Sequence, residues 1–273
     1  GLFRRYRRQR VRCHAVRTGA VGLTADSDRP EDGFEVRSLA ATYPDAFTIS
    51  EHDHPWGQLA YGTSGVMRVV AGDTIWFVPP TRAVWLPPRR PYKIVTQGEV
   101  AMRTLYLAAA LTSGLSDIAI AMEVSPLLRE LILHILQTGM LDRRIAEYNK
   151  LADVLTDLMR EASPGDLRLL MPTDPRACTA AEWIQANPAE RRDLSTLAQQ
   201  VGCSLRTLQR LFARETGMSV ETWRQRVRLI NAVGYLCSGA NVTDAALACG
   251  YNSTSAFIAA SGCPSSVRSS DMV

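Results

Sequence analysis

Apolar and polar residues follow two different periods along this chain. Between residues 34 and 110 they alternate with a period close to two, and Gly and Pro interrupt the alternation at short intervals. From residue 116 onward the apolar residues recur at helical spacing. A period of two is typical of strands, and a period near 3.6 is typical of amphipathic helices. The pattern therefore predicts an α+β chain whose strands come before its helices.

Seven short segments carry the alternating pattern. Turn residues separate them at intervals of about ten residues, which is typical of a small antiparallel barrel or sandwich. We predict an antiparallel β-barrel over residues 33–111. The segments are FEVRSLA (34–40), GQLAYGT (57–63), GVMRVVA (65–71), DTIWFVPP (73–80), RAVWLPP (82–88), YKIVTQG (92–98) and VAMRTLYLA (100–108).

Two antiparallel helices are predicted within residues 112–163. The first begins after the cap Ser125, has Pro126 in its first turn and ends at Gly139. The second lies within 143–162 and has one apolar stripe, formed by Ile145, Tyr148, Leu151, Leu155 and Leu158. We expect the pair to pack on the barrel and to supply a dimer contact. The Pro- and Gly-rich residues 164–176 are interpreted as a linker, and the first helix after it is predicted over 180–187.

The stretch 193–212, DLSTLAQQVGCSLRTLQRLF, predicts two short helices joined by a tight turn. Gly202 can adopt the positive φ that ends a helix, and Ser204 stands where the next helix needs an N-cap. The outer side of that second helix carries donor-rich side chains: Arg206, Thr207, Gln209 and Arg210. Arg and Gln can pair with base edges in the major groove, so we interpret the unit as a helix-turn-helix. The alternative is an αα-hairpin with a solvated polar face.

The same pattern recurs 48 residues later, in residues 241–261. Gly250 makes the turn, Ser253 can cap, and Phe257 takes the place of Leu208 with the turn one residue longer. A helix predicted over 220–237 separates the two units and spans roughly 27 Å. A rod of this order can place two reading helices in successive major grooves, which lie about 34 Å apart. The repeat therefore favours DNA binding.

Residues 177–260 resemble the DNA-binding domain of the AraC/XylS family of bacterial transcription regulators. The shared positions are Leu197, Ala198, Gly202, Ser204, Leu208, Arg210, Phe212, Gly217, Arg228, Ala232, Leu236, Ala245, Ala246, Gly250, Tyr251, Ser253, Ser255 and Phe257. The phrases GQLAYGTSGVMRV, WFVPPTRAVWLPP and SPLLREL resemble the sensor domain of one AraC-type subgroup. The resemblance implies a ligand-responsive regulator that is not an enzyme and that acts as a homodimer in the cytoplasm. Its implied partners are double-stranded promoter DNA, a small-molecule effector and RNA polymerase.

The resemblance also implies which residues contact DNA: Arg206, Thr207, Gln209, Arg210, Thr254 and Ser255. In the second unit, Ser255 and Ala259 stand at the positions of Arg206 and Arg210. Their side chains are too short to bond several bases. We therefore predict that the first unit dominates sequence readout and that the second mainly contacts the phosphate backbone.

A histidine motif in the strand region resembles the cupin barrels. The spacing His52-x-His54-x3-Gln58-x6-Gly65 resembles their first motif, and Tyr92 stands where their second motif has a histidine. A cupin metal site needs imidazoles and a carboxylate, and here only two imidazoles remain. We therefore predict a pocket for a small molecule with no metal and no cofactor. Its candidate lining residues are His52, His54, Trp56, Gln58, Trp85, Arg90 and Tyr92.

Charge and cysteine content add little about partners. The net charge is +4, but the first twenty residues alone hold seven Arg and no acid. We expect residues 1–32 to be a mostly disordered basic arm without the apolar core of a signal peptide. Arg206, Arg210, Arg214, Arg224, Arg226 and Arg228 are predicted to form a phosphate-binding cluster. The six cysteines form no C-x-x-C pair, which fits a reducing cytoplasm, and no run of about 18 apolar residues marks a membrane span.

The end of the chain departs from the family pattern. After Ala260 the family has a further aromatic residue and a basic helix, whereas this chain continues SGCPSSVRSSDMV. The second unit (within residues 177–273) is therefore expected to be weakened, and a regulator crippled by its altered end is one hypothesis. A second hypothesis, from another class, is a cupin-type metal-dependent dioxygenase or isomerase with an accessory DNA-binding tail. The residues leave the effector, the operator and the sign of regulation open.

Overall fold

A computed structural model describes residues 33–165, 168–237 and 239–261. Its N-terminal part is an antiparallel β-sandwich, and its C-terminal part is helical. The strands are β1 Phe34–Tyr43, β2 Thr48–His52, β3 Gly57–Gly62, β4 Val66–Ala71, β5 Thr74–Val78, β6 Arg82–Leu86, β7 Tyr92–Gln97, β8 Val100–Leu107, β9 Ile120–Glu123, β10 Met140–Asp142 and β11 Arg168–Leu170.

Two sheets form the sandwich. The first, sheet A, has the strand order β10-β1-β8-β3-β6-β9, and the second, sheet B, has the order β11-β5-β4-β7-β2. Their facing sides enclose an apolar interior that includes Met67, Val69, Trp76, Leu86 and Ile94. The predicted antiparallel β domain is therefore present, and it is a sandwich of two sheets and not a closed barrel.

The seven predicted strands are all present, and four strands were not predicted. These are β2, β9, β10 and β11, which are three to five residues long. β9 and β10 lie in the region predicted as a helical pair alone, and β11 lies in the predicted linker. β11 pairs with the edge of sheet B through β5, so the linker is part of the sandwich.

The outer face of sheet A is covered by two helices, α1 Pro126–Thr138 and α2 Ala146–Glu161. Ser125 caps α1 as predicted, because its hydroxyl accepts the Leu128 N–H at 3.2 Å. The buried side of α1 and α2 packs on Leu59, Tyr61 and Trp85 of sheet A. The helices thereby bury the second face of the central strands, so β3 is buried along its whole length.

Six described helices follow the linker: α3 Pro175–Ala186, α4 Leu194–Gln200, α5 Leu205–Thr216, α6 Val220–Cys237, α7 Val242–Ala248 and α8 Thr254–Ser261. Helix α3 begins five residues earlier than predicted, because Asp174 caps it and Pro175 opens its first turn. Helix α6 has the predicted bounds, and the Ser219 hydroxyl accepts the Thr222 N–H at 3.1 Å.

The helical part packs on the outer face of sheet B. Ile75 and Phe77 of β5 share one apolar cluster with Ile184 of α3 and with Val227 and Ile230 of α6. The contact is also polar: the Trp223 indole N–H donates to the Leu170 carbonyl at 2.9 Å. No described helix combines the length and apolarity that a bilayer crossing needs. The predicted arm of residues 1–32 and the atypical end after residue 261 lie outside the described residues.

Candidate nucleic-acid interface and effector pocket

The first helix-turn-helix unit forms as its sequence predicts. Gly202 has a φ of +75°, and the Ser204 hydroxyl accepts the Thr207 N–H at 3.2 Å to start α5. The inner side of α5 is fixed by Leu208 and Phe212, which are fully buried. Because the inner side is anchored, the opposite side of α5 faces solvent.

The solvent side of α5 carries three side chains that are free to bind another molecule. Arg206, Gln209 and Arg210 are exposed, and within the described part of the chain they make no hydrogen bond or ion pair. Thr207 is half-buried and contacts the Ser204 hydroxyl at 3.0 Å, so it serves the helix start. The arrangement offers two guanidinium forks and one amide on a single helix face, which suits base edges in a major groove.

The second unit has the same architecture, but its outer face carries fewer long hydrogen-bonding side chains. Gly250 has a φ of +81°, and the Ser253 hydroxyl accepts the Ala256 N–H at 3.2 Å at the start of α8. Thr254 is half-buried with its hydroxyl 3.3 Å from that of Thr243, and Ser255 is exposed. This face therefore offers only short hydroxyl groups.

The predicted phosphate-binding arginines divide into two sets. Arg206, Arg210 and Arg214 lie on α5 and are exposed. The three arginines of α6 instead donate to backbone carbonyls: Arg224 to Arg192 at 2.9 Å, Arg226 to Arg168 at 3.0 Å and Arg228 to Pro188 at 2.9 Å. The structure thus gives the α6 arginines an internal bracing role that the sequence did not suggest.

A cluster of buried polar side chains lies inside the sandwich at one end. The His54 Nε2 atom is 2.9 Å from the Tyr92 hydroxyl and 3.1 Å from the Gln58 Oε1 atom, and the Tyr92 hydroxyl also donates to Gln58. The ring of Tyr106 lies edge-on to that of His54, with centroids 5.3 Å apart. His54, Gln58 and Tyr92 are at most 6% exposed.

Burial sets the protonation of this cluster. It lowers the pKa of His54 from its ordinary value of 6.5, and the Gln58 hydrogen bond opposes the effect only in part. Burial also raises the pKa of both Tyr92 and Tyr106 far above the normal range. The cluster is therefore neutral near pH 7.

Several buried polar atoms of the sandwich interior have no hydrogen-bond partner of normal geometry. They are the His54 Nδ1, Thr104 Oγ1 and Trp76 Nε1 atoms. An unpaired buried polar atom costs free energy, and a bound molecule with hydrogen-bonding groups can recover it. The interior thus has an apolar wall and a few unpaired polar groups, as small-molecule sites commonly do.

The predicted pocket residues do not all converge. The His52 ring lies tilted against that of Tyr92, at an interplanar angle of 57° with centroids 4.6 Å apart, so it contacts the cluster. Trp56 is half-buried beneath the Arg37 guanidinium at 5.0 Å, and Arg90 is exposed in the loop before β7.

The prediction for Trp85 is wrong. Its side chain lies on the opposite face of sheet A, under α1 and α2, where the indole N–H donates to the Ser116 carbonyl at 2.8 Å. The physical reason is the two-residue alternation of β6, which turns Val84 and Leu86 toward the interior and Trp85 away from it.

The donor set does not fit a cupin metal centre. His54 is engaged with Gln58 and Tyr92, and the His52 Nδ1 atom is 2.8 Å from the Ser50 carbonyl. Gln58 and a Tyr92 phenol that stays protonated are poor ligands beside two imidazoles. Among the described residues, no three His, Cys, Asp or Glu side chains gather in a way that could hold a metal ion.

Comparison with known proteins decides the family. The AraC-like ligand-binding domain matches residues 34–201, and a helix-turn-helix domain matches residues 197–261. The HTH-type transcriptional regulator NimR of Escherichia coli K12 is 30% identical over 214 residues, which are 78% of each chain.

The chain belongs to the AraC family of transcriptional regulators. This AraC-type regulator has a ligand-binding N-terminal domain and a DNA-binding helix-turn-helix domain. The activator RhaS of Yersinia pestis (strain Pestoides F) is 36% identical over 77 residues, 28% of each chain.

Two solved structures are also similar to this AraC-family chain. Fatty-acid-bound ToxT from Vibrio cholerae covers 83% of it and 90% of its own length, at 9% identity and a TM-score of 0.38. The DNA-binding domain of AdpA in complex with a target DNA covers 36% of it and 89% of its own length, at 27% identity and a TM-score of 0.32.

Two interior residues of the AraC-type regulator were not predicted as part of the pocket. Tyr106 and Thr104 lie on β8, and Tyr106 pairs in register with Gln58 of β3. Because residues two apart share a strand face, Thr104 belongs to the same interior face as Tyr106. The alternation of VAMRTLYLA was the available signal, but it gave no pairing partner.

Proposed function

We propose that this AraC-family regulator reads its operator mainly through α5. The observation that supports this most strongly is the exposed set Arg206, Gln209 and Arg210 on a helix whose other face is locked into the core. Each arginine can bond both acceptors of a guanine, and the glutamine can bond an adenine edge. Helix α8, with Thr254 and Ser255, steadies the phosphate backbone of the next groove.

The effector occupies the interior of the sandwich beside His54, Gln58 and Tyr92. The neutral cluster and the unpaired Thr104 and Trp76 groups favour a small molecule that both donates and accepts hydrogen bonds. Screening small metabolites for thermal stabilisation tests this proposal. Hits that stabilise the wild type but not Gln58→Leu would support it, and hits that stabilise both equally would contradict it.

The packing of the two domains offers a route from effector to DNA. Strand β5 turns Trp76 toward the sandwich interior and Ile75 and Phe77 toward the DNA-binding helices. A molecule that shifts β5 from inside therefore acts on the surface against which α3 and α6 pack. The regulator acts in the cytoplasm as a homodimer, carries out no catalysis, and influences RNA polymerase at the promoter.

Selection from random DNA tests the proposed reading directly. Purified protein should enrich one motif, and the triple variant Arg206→Ala, Gln209→Ala, Arg210→Ala should enrich none while keeping its helix content. The matched control is Arg143→Ala, an exposed arginine on the sandwich side. A motif that the triple variant still enriches would contradict the proposal, as would a wild type that enriches no motif.

A further inference from the structure

The segment between α3 and α4, residues 187–193, contacts both helix-turn-helix units. We call it the bridging loop. Its last residue leads directly into α4 of the first unit, and the side chain of Arg191 donates to the Gly250 carbonyl in the turn of the second unit at 2.8 Å. The bridging loop therefore joins the two units at a point separate from their connection along α6.

Arg228 of α6 holds the bridging loop in place. Its Nε atom donates to the Pro188 carbonyl at 2.9 Å, and its Nη2 atom donates to the Glu190 carbonyl at 3.0 Å. One planar guanidinium thus spans two carbonyls of the loop and holds them in a fixed geometry that the rotatable donors of a lysine do not impose. Arg224, one turn earlier on α6, donates to the Arg192 carbonyl at 2.9 Å.

The second unit approaches the bridging loop too closely for a side chain. A Cβ atom added to Gly250 would lie 2.8 Å from the Ala189 carbonyl oxygen. Real Cβ atoms essentially never show such a contact, and a φ of +81° also disfavours other residues. The bridging loop and the turn of the second unit therefore pack in direct backbone contact, which leaves no room for a side chain at Gly250.

We propose that Arg228 is a positioning residue for DNA binding: through the bridging loop, it fixes the second helix-turn-helix unit relative to the first. This rests on the proposed function, because the position of the second unit matters only when both units meet one duplex. Arg228 itself needs no contact with DNA. Without it, α5 still reads its site, but α8 no longer arrives at the next groove.

The test combines a footprint with a neutralised duplex. Hydroxyl-radical footprinting of the wild type on its selected operator should show two protected backbone segments about one helical turn apart. A second duplex carries neutral methylphosphonates in the segment protected by the second unit. We expect the wild type to bind this duplex about tenfold more weakly, because the second unit loses its charge-dependent contacts with those phosphates.

Arg228→Met should bind the natural duplex about tenfold more weakly and lose less than about twofold further on the neutralised duplex. It should protect the first segment only. Arg226→Met is the matched control, because Arg226 lies on the same helix and donates to the linker carbonyl of Arg168. Arg191→Met removes the loop contact from an exposed side chain and should give a weaker form of the same defect, with unchanged helix content.

Other results would overturn the proposal. One is an Arg228→Met variant whose affinity falls by the same factor relative to the wild type on both duplexes. The others are two protected segments in that variant and a single protected segment in the wild type. A wild type that selects no operator would instead refute the proposed function itself, so the two failures are distinguishable.

Discussion

At the scale of single residues, the sandwich interior is set by two side chains that stand where a metal site would need other groups. Gln58 offers a neutral amide oxygen, and Tyr92 offers a phenol that burial keeps protonated. Both lie within hydrogen-bonding distance of the same His54 nitrogen, Nε2, whereas the buried His54 Nδ1 atom has no partner among the described residues. The chemistry that remains is hydrogen bonding to a guest molecule.

This neutral cluster predicts that the purified protein binds no stoichiometric transition metal. Elemental analysis after exposure to zinc, iron or manganese should find far less than one ion per chain. His52→Ala with His54→Ala should leave that content unchanged. About one ion per chain, lost in the double variant, would show that the cluster rearranges into a metal site.

A second feature at the residue scale is Glu215, which connects the end of α5 to the residues just before α3. The Glu215 carboxylate at the end of α5 accepts the Asp174 and Thr173 N–H groups at 3.0 and 2.9 Å. These backbone hydrogen bonds, first that of Asp174, together with Arg214, lower the pKa of Glu215 to about 2. Its contribution to stability is therefore complete above its ordinary pKa of about 4.5 and declines as the pH falls toward 2.

Replacing Glu215 by Gln should reduce the free energy of unfolding at pH 6 and make it less sensitive to acid. The amide cannot gain a proton, so the variant lacks the part of the acid decline that Glu215 contributes below pH 4.5. Urea unfolding at several pH values between 6 and 3.5 measures both effects. Glu161→Gln, an exposed residue of α2, is the control. Parallel pH profiles for the wild type and Glu215→Gln would contradict this account.

At the scale of elements, the two helix-turn-helix units differ in their cores. The first unit shares a large cluster with α3, α6 and sheet B, which includes Leu208, Phe212 and Trp223. The buried core of the second unit consists mainly of small residues around Phe257: Ala232, Ala245, Ala246, Cys249 and Leu236. Because less apolar area is buried there, hydrophobic burial stabilises the second unit less than the first.

Helices α7 and α8 should therefore exchange their amide hydrogens faster than α4 and α5. Phe257→Ala removes the main aromatic side chain of the small core, a change that typically costs about 3–5 kcal/mol. We expect this variant to lose protection in α7 and α8 and to keep it in α4 and α5. Hydrogen exchange with mass spectrometry makes the comparison, with Leu247→Ala on the exposed side of α7 as control. Equal protection of both units in the wild type would refute the prediction.

The sequence predicts elements well where local signals are complete. Both helix-turn-helix units, α6 and seven strands are present, because caps, glycine turns and periodicity all lie within a few residues. Short edge strands such as β10 and β11 depend on distant partners, β1 and β5, and carry no local signal. Strands buried on both faces, such as β3 and most of β6, give no alternation to show which side faces the sandwich interior. The error at Trp85 has this origin.

At the scale of the whole molecule, exposed apolar side chains concentrate near the helical pair. Ile118, Leu127, Ile145 and Val154 are 40–62% exposed, and they lie on or beside α1 and α2. Exposed apolar side chains grouped in this way favour burial against another surface, and a second copy of the chain offers a complementary one.

We therefore expect the wild type to sediment as a dimer at a chain concentration of about 20 µM. This requires a dissociation constant in the micromolar range or below. Leu127→Glu combined with Val154→Glu should yield a folded monomer. Leu247→Glu, a similarly exposed position on α7, should leave the dimer intact. A monomeric wild type, both free and with DNA, would argue against a dimer through these helices.

The central claim is that α5 carries the sequence preference and α8 does not. The most direct measurement compares Arg210→Ala with Thr254→Ala, using the affinity for the operator relative to random DNA. Loss of one bidentate arginine should cost about 1–3 kcal/mol of discrimination, so Arg210→Ala should lower the preference by about 5- to 150-fold. Thr254→Ala should weaken binding to both DNAs slightly and leave the preference unchanged. If Thr254→Ala lowers the preference as much as Arg210→Ala does, α8 is a true reader and the account is wrong.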